Sequence, residues 1–373
     1  MGGDHLKKLT MPKWGLSMTQ GTVVGWLVDE GAEITVGTMV VEVETDKILS
    51  AVESPVTGTL LRQVAAPGAK LPVSGLLGVI GDADAPAEQV NQFVEQCSCE
   101  AVAEAPQTQD AAPQTVEVAG RTLRYLKRGD GGRPIVLIHG FGGDLNNWLF
   151  NHEALAADRD VFAVDLPGHG GSGKDVGNGS INALADAVAG FMHAVDLEQA
   201  HLVGHSLGGA VALALALEHP DRVLSLTLIA SAGLGKQING RYIDGFISAT
   251  RRNQLRPHLQ SLFADPALVT RQLVEDVLKM KRIDGVTQAL TTIAGRCFAD
   301  GEQTANFRDR LDKISVPLLV LWGAKDQIIP PAHARDLPNS IHVEIFPDHA
   351  HMLPMEAAMQ INRVIDEFVQ LGD

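Results

Sequence analysis

Ser206 stands in the run Gly204-His205-Ser206-Leu207-Gly208, between the apolar stretch His201 to Val203 and a helical pattern opened by Gly209-Ala210-Val211-Ala212. Strand, sharp turn and helix in that order form the setting in which a serine hydroxyl is held strained and exposed as a nucleophile. Gly204 and Gly208 have a physical reason to be there, because side chains would collide in so cramped a turn. A serine needs a base, and the base needs an orienting acid. Asp326 lies just beyond Leu318-Leu319-Val320-Leu321-Trp322-Gly323, at the carboxyl end of an expected strand. Beyond the last expected strand come His349 and His351, and either has the chemistry of the base. These residue types together point to attack on an acyl carbon.

A second reactive position lies far upstream. Residues 21–43 align with residues 58–80 at a constant offset of 37, Gly21 matching Gly58, Gly31 matching Gly68 and Val36 matching Val73. Apolar positions correspond as well: Val23/Leu60, Val24/Leu61, Ile34/Leu71, Val40/Leu77 and Val43/Ile80. A repeated strand-turn-strand unit implies two similar halves packed as a small β-sandwich, since neither half could bury a core alone. Between the halves lies Glu44-Thr45-Asp46-Lys47-Ile48, which puts Lys47 near an exposed turn where another enzyme can reach and modify it.

The elements that must carry these residues fall into three stretches. Residues 8–82 read as the small β domain. Residues 83–115 are rich in Ala, Pro, Gln and Glu and hold no Lys or Arg. They read as a flexible linker, with a brief helix near Val90 to Val94, spanning roughly 30 Å as a coil and about 110 Å extended. From 116 to 371 strands and helices alternate, which predicts a doubly wound, mainly parallel sheet. The expected strands are Ile135–Ile138, Val161–Val164, His201–Val203, Ser225–Ile229, Leu318–Leu321 and Val343–Ile345; Ala183–Ala194 and Gly209–Glu218 read as helices. Residues from about 234 to 308 break the rhythm and read as an inserted helical cap.

Both ends resemble known families. Met11-Pro12-Lys13, the Glu44-Thr45-Asp46-Lys47 tip and Gly58 resemble the lipoyl domain of 2-oxo-acid-type dehydrogenase complexes. The related biotinyl domains carry Met on both sides of the acceptor lysine; Asp46 and Ile48 stand there instead, so the resemblance implies lipoate on Lys47. Residues 116–371 resemble α/β-hydrolases, in which the triad runs serine, acid, histidine. The run Asp348-His349-Ala350-His351 through Glu356 is similar to their Gly-His-x-x-x-x-Glu pattern, with Ala350 in place of Gly, and that selects His351 as the base beside Asp326 and Ser206. The resemblance further implies an oxyanion hole from the backbone N–H groups of Phe141, in Ile138-His139-Gly140-Phe141-Gly142-Gly143, and of Leu207, with His139 positioning the loop. Asp165-Leu166-Pro167-Gly168-His169-Gly170 resembles a structural loop of the same family.

A lipoyl domain ahead of such a domain resembles the acetyltransferase components of acetoin dehydrogenase complexes. That resemblance implies an acetyl group, coenzyme A as acceptor substrate, and two partners, a thiamine-diphosphate-dependent acetoin-cleaving component and dihydrolipoamide dehydrogenase, with a homo-oligomeric assembly. The same triad in a serine hydrolase or thioesterase would use water, with the lipoyl domain serving localisation. The chain lacks the His-x-x-x-Asp-Gly motif of pyruvate-type acyltransferase domains, and its linker has no basic residue for a subunit-binding module.

Composition narrows the remaining classes. A net charge of −15 argues against nucleic acid as a partner. Three cysteines, Cys97, Cys99 and Cys297, form no disulfide framework and suit a reducing cytoplasm. No second ligand pair accompanies Cys97-x-Cys99, so no metal is expected. The N-terminus lacks the apolar core of a signal peptide, and no stretch is long enough to span a bilayer, so no membrane partner is expected. Arg251, Arg252, Arg256 and Lys279-Met280-Lys281-Arg282 are candidates for coenzyme A phosphates, and solvated helix faces explain them as well.

Overall fold

The computed structural model describes residues 6–12, 18–45, 49–103 and 112–371, and the chain divides into two compact units between residues 110 and 111. Among the described residues the first unit contains eight strands: β1 (Lys7–Thr10), β2 (Gln20–Trp26), β3 (Glu33–Ile34), β4 (Met39–Glu44), β5 (Leu49–Glu53), β6 (Gly58–Gln63), β7 (Lys70–Pro72) and β8 (Leu76–Gly81). They form two four-stranded sheets, in the orders β1-β8-β6-β3 and β5-β4-β2-β7. Exchanging β1 with β5, β2 with β6, β3 with β7 and β4 with β8 turns one sheet into the other, so the halves are related by a pseudo-twofold.

The offset of 37 holds at single hydrogen bonds: Gly31 N–H donates to Leu60 O and Gly68 N–H to Val23 O, both at 2.7 Å. Leu27 N–H to Val40 O and Val64 N–H to Leu77 O form another pair, both at 2.9 Å. Val23, Leu60, Val40, Leu77, Val43 and Ile80 make the core between the sheets. Val24 departs from its expected place there. It sits at a β-bulge, where the pairing steps from Val23 to Gly25, and its side chain is exposed.

Part of the stretch expected as a flexible linker is ordered. α1 (Ala87–Ala103) packs against β8, with Val90 and Cys97 buried and Phe93 and Val94 half-buried. That spacing makes an apolar stripe, thin among polar residues but wide enough to dock on a sheet.

The second unit centres on an eight-stranded sheet in the order β16-β15-β14-β13-β11-β12-β10-β9. β9 (Gln114–Val118) and β10 (Arg121–Arg128) are antiparallel at one edge. β11 (Ile135–Ile138), β12 (Val161–Val164), β13 (Ala200–His205), β14 (Val223–Ile229), β15 (Leu318–Gly323) and β16 (His342–Phe346) run parallel. β11, β12, β13 and β15 are buried along their whole length, as a sheet covered on both faces requires. Helices α2 (Ile181–Ala194), α3 (Leu207–Glu218) and α8 (Ala358–Gln370) belong to this layered body. Between β14 and β15 the chain inserts four helices: α4 (Gly240–Ser248), α5 (Arg252–Gln260), α6 (Arg271–Lys281) and α7 (Val286–Cys297). Asn239 caps α4 and Thr270 caps α6 through side-chain oxygens that accept from Tyr242 and Leu273 N–H. Among the described residues no helix is long and apolar enough to cross a membrane.

Candidate active site

Ser206 sits between β13 and α3 with φ +53° and ψ −117°, a conformation costly for any residue with a side chain. The turn closes tightly enough that an added Cβ at Gly204 would overlap the Gly208 carbonyl oxygen, and one at Gly208 would overlap Ile138 O. Ser206 N–H donates to Ile229 O at 3.0 Å, and Ser206 O accepts from Gly209 and Ala232 N–H at 3.0 and 2.9 Å. The strained residue is thus held by its neighbours on three sides. Residues 207–216 of α3 are buried all round, so the helix behind the serine is a fixed part of the core. Leu207 is its first residue, and its N–H has no intrahelical acceptor.

Asp326 follows β15 on the loop expected from the sequence. Its Oδ1 accepts from Ile328 and Ile329 N–H at 2.8 and 3.0 Å, and its Oδ2 lies 2.8 Å from His351 Nδ1. Read as a carboxylate, Asp326 only accepts, so the His351 proton sits on Nδ1 and Nε2 keeps its lone pair. His349, the alternative base, is half-buried with its ring against Phe346; its backbone carbonyl accepts from Lys325 N–H at 3.0 Å.

The His351 loop is fixed from several directions. Glu356 accepts from Ala350 N–H at 2.9 Å and from Ala264 N–H, in the cap, at 2.6 Å. Leu262 O, also in the cap, accepts from His351 and Met352 N–H at 3.0 and 3.1 Å. His205 Nε2 donates to His351 O at 2.9 Å, tying the serine turn to the histidine loop. Burial pushes the His205 ring down to about 3, which keeps it neutral. No motif in the sequence marks Leu262, and His205 is legible there only as a neighbour of Ser206.

Phe141 follows β11 in a loop that approaches the serine closely: an added Cβ at Gly140 would lie 3.0 Å from Ser206 Cβ. Gly142 has φ +72°, and a Cβ there would run into the Phe246 ring of α4. His139, fully buried, donates from Nδ1 to Gly140 O at 2.8 Å and accepts at Nε2 from Leu166 N–H at 3.0 Å. Burial lowers its pKa. It is a neutral brace of this loop. Asp165 braces the next loop by accepting from Leu145 and Gly171 N–H, each at 2.7 Å, and from Arg124.

Ser206, His205, His351 and Phe141 line one cavity of about 680 Å³, counting its open mouth. The cap supplies most of the remaining wall, including Phe246, Leu259, Phe263 and Val277. Lys281 holds that cap together. It is buried, with Nζ donating to Phe246 O, to Ile247 O at 3.1 Å and to Ala249 O at 2.6 Å, at the carboxyl end of α4. Burial pushes this ammonium down to about 8.

Lys281 is therefore committed within the protein rather than offered to a phosphate. Arg252 pairs with Glu275 and Lys279 with Asp276 on the cap surface. Cys297 is buried, donating to Gly179 O, and burial pushes its thiol up to about 12. Lys47 lies outside the described residues, while Glu44 and Leu49, the strand ends that bracket it, are paired in the β4–β5 hairpin.

Comparison with known proteins agrees with this division. Residues 133–358 match the α/β-hydrolase fold family, and residues 7–80 match the biotinyl/lipoyl family described as biotin-requiring enzymes. The chain is 52% identical to a dihydrolipoyllysine-residue acetyltransferase component of an acetoin cleaving system from Pseudomonas putida, over 98% of this chain and 99% of that one. It is 46% identical to a protein of the same description from Cupriavidus necator, over 96% of each. A meta-cleavage product hydrolase from Pseudomonas fluorescens IP01 shares the fold, with a TM-score of 0.64 at 24% identity over 70% of this chain and 98% of that one.

Proposed function

Since the chain belongs to the acetyltransferase components of acetoin-cleaving systems, we propose that Ser206, His351 and Asp326 carry an acetyl group from S-acetyl-dihydrolipoyl-Lys47 to coenzyme A. The pairing of Glu44 with Leu49, which closes the β4–β5 hairpin on either side of Lys47 in the sequence, supports Lys47 as the attachment point. A lipoyl group there would supply the acyl carrier as a thioester.

Ser206 Oγ attacks the thioester carbonyl while His351 Nε2 takes the hydroxyl proton. The Phe141 and Leu207 N–H groups hold the oxyanion. His351 returns the proton to the departing thiol as the carbon–sulfur bond breaks, leaving an acetyl ester on Ser206. Coenzyme A thiol then gives its proton to His351, its sulfur takes the acetyl group, and His351 returns the proton to Ser206 Oγ as the ester bond breaks. Asp326 keeps the imidazole in the required tautomer throughout. A tether raises the donor's local concentration to about the millimolar order. The observation that carries the reading is the 2.8 Å contact between His351 Nδ1 and Asp326 Oδ2, with His351 and Ser206 on one apolar cavity.

A hydrolase is the second reading, favoured by the chain's 30% identity, over 70% of its length, to a 2-hydroxy-6-oxononadienedioate/2-hydroxy-6-oxononatrienedioate hydrolase from Paraburkholderia phymatum. One assay separates the two. Full-length protein from lipoate-replete cells is given acetyl-dihydrolipoamide and coenzyme A, and acetyl-coenzyme A is measured against free acetate. The transferase reading requires acetyl-coenzyme A to dominate and Ser206→Ala to abolish it; dominant acetate selects the hydrolase. Intact mass should show a lipoyl adduct that vanishes in Lys47→Arg. We assign the thiamine-diphosphate-dependent component and dihydrolipoamide dehydrogenase as partners in a homo-oligomeric assembly, and the cytoplasm as location.

A further inference from the structure

The cavity beside Ser206 reaches from the serine turn to the cap, where Leu259, Leu273 and Val277 line it. It measures about 680 Å³ counting its open mouth. Its polar side chains are Asn147, His205, Ser206 and His351, on the side of the reacting groups, and Tyr242 on cap helix α4. Apart from Tyr242 the cap's side of the wall is apolar, and no Lys, Arg, Asp or Glu lines the cavity among the described residues. A charged guest would lose its water there without gaining a partner.

Two features suit guests of varying length. Leu273 and Val277 of α6 are only half-buried although they face the cavity, so they keep apolar surface for a guest to cover. Met352 and Met355, next to the histidine loop, are unbranched thioethers that re-pack around different shapes. The cap itself is anchored by Lys281 and by the bonds to Leu262 and Ala264, so the space is built in.

We propose that this pocket accepts neutral acyl groups longer than acetyl, butyryl to hexanoyl, and that the enzyme transfers them to coenzyme A. This rests on Ser206 acting as the nucleophile, as set out above. The bonds are those of the acetyl reaction: the acyl carbon leaves a thiol sulfur for Ser206 Oγ, then leaves Oγ for the sulfur of coenzyme A, with His351 returning each proton. Only the acyl tail differs. Each methylene taken from water into the pocket raises kcat/KM by up to about fourfold, so butyryl exceeds acetyl by up to about fifteenfold.

The test reads the acyl side separately from the donor arm. The full chain is assayed with p-nitrophenyl acetate, butyrate and hexanoate, whose leaving group is constant and which carry no arm. The same acyl groups and succinyl are then offered as S-acyl-dihydrolipoamides with coenzyme A. Butyryl and hexanoyl are expected to equal or exceed acetyl in kcat/KM, with succinyl at least about a hundredfold below butyryl. Val277→Phe narrows the wall and should lower the hexanoyl-to-acetyl ratio by about tenfold; the ratio is insensitive to any general loss of folded protein.

A fall of more than about tenfold from acetyl to butyryl overturns the proposal and shows that the donor arm fills the cavity. An unchanged ratio in Val277→Phe overturns it as well. If no ester or thioester is turned over by folded protein, the role of Ser206 falls with it; turnover of acetyl alone sinks only the longer acyl groups.

Discussion

Asp326→Asn changes one atom of the carboxylate and keeps its shape. Asp326 Oδ1 accepts from two backbone N–H groups, of Ile328 and Ile329 at 2.8 and 3.0 Å, while Oδ2 faces His351 Nδ1 at 2.8 Å. An asparagine must keep its carbonyl oxygen toward those two donors, because turning over would set an NH2 group against both. Its amide nitrogen then faces His351 Nδ1 and can only donate. The imidazole is forced to carry its proton on Nε2, the nitrogen that has to accept from Ser206. Serine triads with this defect lose about 10³- to 10⁴-fold in kcat, a barrier increase of roughly 4–5.5 kcal/mol. The two backbone donors stay satisfied, so the melting temperature should move by less than about 3 °C. Single-turnover formation of the acyl-enzyme, followed as thiol release from acetyl-dihydrolipoamide, reads the chemical step directly. Asp326→Ala is the contrast: it leaves buried N–H groups unpaired, at about 1–3 kcal/mol each, and should lower stability as well. If Asp326→Asn keeps more than about a tenth of the parental kcat, the tautomer argument is refuted.

Lys281→Met removes the ammonium shared by three carbonyls at the end of α4. A loss of about 2 kcal/mol, read as a fall of about 4–8 °C in melting temperature, is expected together with a raised KM, because Phe246 loses its anchor. Glu356→Gln sets an NH2 group against either Ala350 or Ala264 N–H, so kcat/KM for acetyl transfer should fall about tenfold; parental kinetics would show that the His351 loop is held without it. Burial holds His152 at about 4 and His169 and His205 at about 3, below the 6.5 of an unfolded histidine. The unfolded chain therefore binds more protons as pH falls below 6.5, and stability is lost by up to about 1.4 kcal/mol per pH unit for each. Urea midpoints at pH 7 and pH 5 check this; equal midpoints would contradict it.

What could be read in advance depended on how local the physics was. The serine turn was legible because Gly204 and Gly208 are demanded by contacts a few residues away. β11 and β12 were legible because strands buried on both faces read as unbroken apolar runs. β9 and β10 were missed: at the antiparallel edge their apolar residues are diluted among polar ones. α1 outran the brief helix expected near Val90 because its stripe of Val90, Phe93, Val94 and Cys97 gains meaning only against β8. His349 and His351 could not be told apart by spacing, and the carboxylate of Asp326 distinguishes them in space. Lys281 looked like one more solvated cation beside Lys279 and Arg282; only its three carbonyl partners, distant in sequence, reveal its use.

The pseudo-twofold of the first unit gives its chain two equivalent seams. β4 meets β5 at Glu44 and Leu49, and the same operation carries that junction to β8 and β1, where Ile80 faces Lys7. At one seam the two strands are consecutive in the chain, and at the other they are the first and last strands of the unit. Seams exchanged by a twofold lie on opposite sides of its axis. The Glu44–Leu49 junction thus lies across the axis of the first unit from the Lys7–Ile80 junction, and the two sheets fill the distance between them.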